Sequence, residues 1–342
     1  MKIAEKNLRI GVVGVGTMGQ HHVRIISQTP DVELAGFHDP DPVRAAEICS
    51  RHGCECFGTL DELLNQSDAV IVAAPTSTHY EIGEKCLGRG IHVLMEKPLA
   101  HEVEAAAKLV DLSRRAGVVL MVGHVERYNP AVGKLMELLR QEHEEIISID
   151  ARRLAPFDGS RCIDVDVLYD LLIHDIDLSL EIAGSSVLNV SAVGRPVFSK
   201  KTDVAHTRIE FGNGVAGIFW TGKCSPLKVR SLTVSTPRRC LVADTLACTL
   251  TVYAAEQLSP MENGLCMMGT VEKQEILVPH EEPLRREIAD FLLAIREGNL
   301  PLVDGWRGLR AMQALALVEK SIAARGAVIQ IASDDKRYSE LR

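Results

Sequence analysis

The run Leu8-Arg9-Ile10-Gly11-Val12-Val13 reads as a buried strand. It passes straight into Gly14-Val15-Gly16-Thr17-Met18-Gly19 and then a helical stretch from Gln20. This strand-turn-helix context turns a common glycine pattern into a constraint on the fold. Gly14 permits the tight turn, Gly16 lets backbone N–H groups approach a pyrophosphate, and Gly19 allows close helix–strand contact. The anion would rest on the helix N-terminus, where orphan N–H groups and the helix dipole favour negative charge. A second apolar segment, Glu33 to His38, leads into Asp39. A carboxylate at that distance accepts hydrogen bonds from an adenosine ribose diol and repels a 2′-phosphate. The pattern predicts a dinucleotide site that prefers NAD to NADP. Arg44 is the residue best able to upset that preference, although its spacing fits the following helix better.

From there to about Arg127, apolar strands (Ala69 to Ala73, Ile91 to Met95, Val118 to Val122) alternate with helical stretches (Glu81 to Gly88, Val103 to Ala116). Such alternation predicts a doubly wound parallel sheet. Pro130 to Arg140 reads as a linking helix. The pattern then changes to extended, alternating segments: Ile146 to Leu154, Val187 to Val197, Ala205 to Phe211, Val215 to Thr221, Val229 to Ser235 and Arg239 to Ala243. Gly212-Asn213-Gly214 joins two of them as a hairpin. The expected fold class is α/β, with a Rossmann domain over 1–127 and an α+β domain over 128–342 built on a mostly antiparallel, open-faced sheet. Val215, Ile218, Phe219 and Trp220 are too apolar to stay wet over a large patch, which points to a homo-oligomer formed through that face. Leu284 to Arg296 and Trp306 to Arg325 read as amphipathic helices, and Gln257 to Glu272 as an irregular insertion.

Composition narrows the function classes. No apolar run approaches the roughly 18 residues of a membrane span, and Met1 to Asn7 does not read as a signal peptide, so a cytoplasmic protein is expected. A net charge of −8 disfavours nucleic acid as a partner. Nine cysteines without an export signal read as reduced thiols. Cys49, His52, Cys54 and Cys56 could ligate zinc by type, but they straddle the end of a helix and the start of a strand, and no metal is expected there.

Two further segments carry chemistry. In Val167 to Ala183, Asp170, His174, Asp177 and Glu181 fall within roughly 60° of one another at helical spacing, while leucines and isoleucines cover the rest. A helix so apolar should be buried, so the stripe faces either a closed polar network or a cavity where chemistry happens. The strand Ile91 to Met95 delivers Glu96-Lys97-Pro98. Pro98 biases Lys97 away from helical geometry, and an ammonium is thereby presented at the sheet edge where ligands bind in parallel folds. Arg127, Arg152, Arg153 and Arg161 could line a basic pocket for an anionic substrate, although a solvated surface position is commoner for any one arginine.

Leu8 to about Asn129, the segment Asp170 to His174 and the helical C-terminus together resemble the Gfo/Idh/MocA family of oxidoreductases. The likeness is carried by the glycine fingerprint, Ala74-Pro75-Thr76-Ser77-Thr78-His79, Glu96-Lys97-Pro98, Gly123-His124 with Arg127-Tyr128-Asn129-Pro130, and Asp170-x-x-x-His174 with Asp177. Leu172 stands where the family commonly has glycine. The resemblance implies NAD as cofactor, held by Gly14, Gly16, Thr17, Met18, Asp39, Pro75, Thr76, His79, Glu96 and Lys97. It assigns catalysis to Lys97, Asp170 and His174, expected to converge on one cleft, and implies a cis Lys97–Pro98 peptide. An imidazole can take and return a proton near neutrality, which suits His174 to general-base work. Asp170 one turn away would orient it, and Lys97 would stabilise a developing alkoxide.

The segments Gly123 to Ala131 and Asp170 to Leu178 resemble the branch that oxidises the 3-hydroxyl of UDP-N-acetylglucosamine, whose keto product passes to an aminotransferase in lipid A synthesis. This implies a nucleotide sugar as substrate, with Arg127, Tyr128, Asn129 and Asp177 as contacts. A UDP-N-acetyl-hexuronate, or inositol or another polyol, is the alternative. A non-catalytic sugar- and NAD-binding regulator is the alternative of another class, disfavoured by the joint presence of Lys97, Asp170 and His174.

Overall fold

In the computed structural model, which describes residues 7–158, 166–255, 258–260 and 266–331, the N-terminal half alternates strand and helix as expected. The order is β1 (Leu8–Val13), α1 (Gly19–Ser27), β2 (Val32–His38), α2 (Pro42–His52), α3 (Leu60–Asn65), β3 (Ala69–Val72), α4 (His79–Gly88), β4 (His92–Glu96), α5 (Val103–Ala116) and β5 (Leu120–Gly123). The five strands form a parallel sheet in the order β2-β1-β3-β4-β5. The chain leaves β1 first to one side and then to the other, so the topological switch point lies at the C-terminal ends of β1 and β3. Ile10, Val12, Ile71, Val72, Leu94 and Met95 are fully buried, and each such side chain contributes about 1.5–3 kcal/mol. Local signals set the boundaries. Asp41 caps α2 with Pro42 behind it, Thr59 and Glu62 form a reciprocal capping box on α3, and α5 stops at Gly117 in the left-handed region. Cys49, Cys54 and Cys56 pack against an apolar cluster that includes Val12 and Phe37, and no group of three metal-ligating side chains occurs among the described residues.

The second half begins with α6 (Pro130–Glu142) and β6 (Ser148–Leu154), then a π-helical turn, Leu168–Leu172, running into α7 (Ile173–Ala183). There follow β7 (Val187–Arg195), β8 (Val204–Phe211), β9 (Ala216–Gly222), β10 (Val229–Ser235), β11 (Arg239–Asp244), β12 (Thr249–Ala255), β13 (Leu258–Pro260), β14 (Cys266–Met268) and β15 (Val271–Ile276). Two helices, α8 (Pro283–Glu297) and α9 (Gly305–Ala323), and the short β16 (Ile329–Gln330) complete it. Nine strands form one sheet, β15-β12-β11-β10-β6-β9-β8-β7-β16, in which only the β6–β9 pairing is parallel. The Gly212-Asn213-Gly214 hairpin joins β8 to β9, with Phe211 donating to the Val215 carbonyl at 2.9 Å. Part of the expected insertion is ordered into strand: β13 pairs with β14, and β15 extends the sheet edge along β12.

One expectation about the sheet is corrected by its pleat. Alternation sends Val215 and Phe219 into the core, 3% and 1% exposed, and leaves Ile218 and Trp220 on the open face at 45% and 40%. The open face keeps a smaller apolar patch than four residues, with the His206 ring stacked on Trp220 at 5.4 Å and the Arg152 guanidinium 5.9 Å from the same indole. Two compact units emerge, 1–125 with 284–312 and 126–283 with 313–342. Residues 284–312, made late in the chain, belong to the first unit.

Candidate active site

Within the first unit the glycine turn has the geometry its sequence demands. Gly14 has a φ of 83°, and a Cβ there would lie 2.8 Å from the Ala73 carbonyl oxygen. A Cβ on Gly19 would fall 1.9 Å from the Gly14 oxygen, so α1 lies against the turn as closely as a bare backbone permits. Above Gly16 nothing comes within 4 Å, which leaves its backbone approachable. The buried Asp39 carboxylate accepts from the Val15 N–H at 2.8 Å and the Asp41 N–H at 2.9 Å. Asp39 therefore ties the end of β2 to the glycine turn. Arg44 sits on α2 as its spacing predicts, yet its guanidinium reaches Asp39 at 3.3 Å and Asp41 at 3.3 Å. An open glycine turn at a helix N-terminus and an anchored carboxylate at the next strand end fit the pyrophosphate and ribose of NAD.

The Lys97 side of this unit rests on a buried polar cluster. The Lys97–Pro98 peptide is cis, as the resemblance implies. Thr76 lies in a short 3₁₀ turn after Pro75, and both are followed by His79 at the start of α4. The His79 ring is 1% exposed and bonds through Nδ1 to the Pro98 carbonyl at 2.8 Å and through Nε2 to the Ala74 carbonyl at 3.0 Å. Beside it, the Glu96 carboxylate bonds to His22 Nε2 at 2.9 Å. Burial pushes Glu96 up, but the His22 hydrogen bond and the charges of His22, Lys97 and His79 outweigh it and hold the carboxyl below its usual range.

Glu287 on α8 is fully buried near Glu96, and neither of its carboxylate oxygens finds a hydrogen-bond partner. Burial, reinforced by the negative charges of Glu96 and Asp290, pushes it well above the usual carboxylate range and favours the neutral acid in the native protein. Unfolding releases that proton above about pH 4.3, so the native state binds more protons and loses stability as pH rises, by up to ~1.4 kcal/mol per pH unit. Glu287→Gln mimics the neutral acid and removes the slope. Denaturant unfolding from about pH 5 to about pH 8 should show the variant gaining on the parent as pH rises. Parallel stability curves would show that Glu287 is ionised in the native protein.

In the second unit the polar stripe divides in two. At its lower end Arg127, 8% exposed, donates a hydrogen bond to Glu181 at 2.8 Å and forms an ion pair with Asp177 at 3.0 Å, so these residues realise the closed network. Burial lowers Arg127, but the two carboxylates outweigh it and raise its pKa. At the upper end Asp170 pairs with Lys223 of the loop after β9 at 2.9 Å, and His174 is nearly buried. The π turn, in which the Ile173 N–H reaches the Leu168 carbonyl, passes through Asp170 and resets its phase against the rest of the helix. Asn129 caps α6 through the Ala131 N–H at 3.0 Å and donates to the Thr245 carbonyl at 2.9 Å; Tyr128 is buried next to it.

Arg153, a pocket or surface arginine by sequence, is instead buried in an ion-pair network with Asp175 and Glu126, two carboxylates that sequence reasoning missed. Arg153 is 4% exposed, grips Asp175 Oδ1 with Nε at 2.9 Å and Nη2 at 2.8 Å, and reaches Glu126 at 2.6 Å. Burial opposes the Arg153 charge, but Asp175 and Glu126 more than offset it and raise its pKa; burial raises Asp175 despite Arg153. The available signal was Asp175 itself, a carboxylate amid apolar helix residues away from the stripe. Arg152 is exposed on the sheet, and Arg161 lies outside the described residues.

Comparison with known proteins supplies the family. Residues 8–124 match the family model described as "Oxidoreductase family, NAD-binding Rossmann fold". The UDP-N-acetylglucosamine 3-dehydrogenase of Acidithiobacillus ferrooxidans is 32% identical over 93% of this chain and 98% of its own. A solved structure of that enzyme superposes with a TM-score of 0.84 at 31% identity, covering 94% of this chain and 99% of that one. An inositol 2-dehydrogenase of Corynebacterium glutamicum is 28% identical over 60% of this chain and 61% of its own. With a relative of this identity aligned along nearly its whole length, and an NAD-binding Rossmann domain at its N-terminus, the chain belongs to the Gfo/Idh/MocA family of oxidoreductases.

Proposed function

We propose that the chain oxidises the 3-hydroxyl of UDP-N-acetylglucosamine to the 3-keto nucleotide sugar, with NAD as hydride acceptor. The likeness to the Acidithiobacillus ferrooxidans 3-dehydrogenase over 98% of that protein carries this reading. NAD, when bound, takes up the hydride from the carbinol carbon. His174 accepts the hydroxyl proton as general base, and the Asp170 carboxylate, shared with Lys223, supports the imidazolium that results. Lys97 donates a hydrogen bond to the same oxygen and stabilises charge as the alkoxide develops. Glu96, His22 and His79 stand behind Lys97 and hold its turn in place. Asp39 selects NAD by repelling a 2′-phosphate. The keto product suits an aminotransferase, and in this reading the chain acts in the cytoplasm ahead of such an enzyme in amino-sugar synthesis. Likeness to an inositol 2-dehydrogenase supports polyol oxidation as the second reading.

The deciding experiment follows NADH formation with UDP-N-acetylglucosamine, a UDP-N-acetyl-hexuronate and inositols, each with NAD and with NADP. Turnover of the first with NAD is expected. Turnover of inositol alone would establish the second reading, and NAD binding without turnover on any of them would make the chain a regulator. We also propose that the chain self-associates through the open sheet face around Ile218, Trp220 and Val193, each at least 40% exposed. The double change Ile218→Glu with Trp220→Glu should lower the mass measured by light scattering to that of a monomer. An unchanged mass would place the interface elsewhere.

A further inference from the structure

The His79 ring contacts two carbonyl oxygens and nothing about those partners is interchangeable. A carbonyl oxygen only accepts, whereas a neutral imidazole has one N–H and one lone pair. With Nδ1 at 2.8 Å from the Pro98 oxygen and Nε2 at 3.0 Å from the Ala74 oxygen, a neutral ring would press a lone pair against an oxygen at one end. At 1% exposure, solvent does not relieve that contact. Both bonds form together only when both nitrogens carry a proton.

We propose that His79 is held as an imidazolium in the native protein, and that its two N–H donors strap the Ala74 segment after β3 to the Lys97–Pro98 turn after β4. It is thus a positioning residue for Lys97. Its charge is balanced on site. The Glu96 carboxylate lies close enough to feel it, His22 bonds to that same carboxylate at 2.9 Å, and Glu287, pushed towards its neutral form, lies near Glu96. Lys97 and His22 also lower Glu96 through their positive charge. The strap also reaches the cofactor side, because Ala73, one residue before Ala74, is the segment against which Gly14 and Gly19 pack. The glycine turn and the Lys97 ammonium are therefore referenced to one ring.

The test has an arm that needs no substrate. Nitrogen-15 NMR of the wild-type histidine rings, twelve in the chain, should show the His79 ring doubly protonated and unchanged from about pH 6 to about pH 9, where ordinary imidazoles titrate. That signal should vanish in His79→Asn or, if the variants do not fold, be assigned by its contacts to Pro98. Every ring neutral at about pH 9 would overturn the proposal. The second arm rests on the proposed function: in His79→Asn, kcat on the nucleotide sugar should fall by about tenfold or more while NADH affinity changes by less than about threefold. Equal losses of both would make His79 a general structural prop. A failure of the substrate assignment leaves the NMR arm intact, so the two failures are distinguishable.

Discussion

His174→Ala and Lys97→Ala should each lower kcat on the nucleotide sugar by about 10²–10⁴-fold and leave NADH affinity nearly unchanged. Proton removal and alkoxide stabilisation act mainly in the transition state, so their loss falls on turnover and not on the ground-state cofactor complex. The double variant carries the sharper information. If both groups serve one substrate oxygen, removing the second costs far less than removing the first, because members of a single proton-transfer unit are not additive. Losses that multiply would mean the two residues act independently, and near-native turnover in His174→Ala would pass the general-base role to Lys97. Asp170→Asn should be the milder change if Asp170 only orients His174, and severe if its negative charge, already shared with Lys223, is what supports the imidazolium.

The largest effect on stability is expected at Arg153. Its guanidinium neutralises Asp175, which is 2% exposed, so Arg153→Ala leaves a buried carboxylate without its partner. Stranding one member of a buried pair costs about 3–5 kcal/mol, enough to displace the urea midpoint without changing the surface exposed on unfolding. Arg153→Leu combined with Asp175→Leu should recover much of the loss, since an apolar pair escapes the desolvation cost. Glu126, the third member, keeps partial solvent contact and needs no replacement. A loss under about 1 kcal/mol in Arg153→Ala would show that Asp175 is already neutral in the native protein.

What could be read from sequence was whatever leaves a period or a fixed spacing. Gly14 and Gly19 announce their turn because a Cβ at either would run into backbone, and β3, β4 and β5 announce themselves as apolar runs between helices. Arg153 and Asp175 were illegible for the opposite reason. A buried charge looks like a surface charge until its partner is known, and these partners lie on β6 and α7 with no spacing rule to connect them. The stripe on α7 was legible as a stripe but not as two half-stripes, since the division depends on Arg127 and Lys223 arriving from elsewhere in the chain. Edge strand β15 is almost wholly exposed and alternates charge with no apolar face, so its pairing with β12 left no trace in hydropathy.

The return of residues 284–312 to the first unit sets an order on synthesis. A ribosome completes β5 well before it makes α8, with the whole of 126–283 in between. Until then the Val122 N–H lacks the Val303 carbonyl it bonds at 3.0 Å, and Met121 lacks its bridge to Asp304. The nascent Rossmann sheet therefore emerges with an open seam, and its closure by the late-made segment makes the fold of the cofactor domain contingent on nearly the full length of the chain.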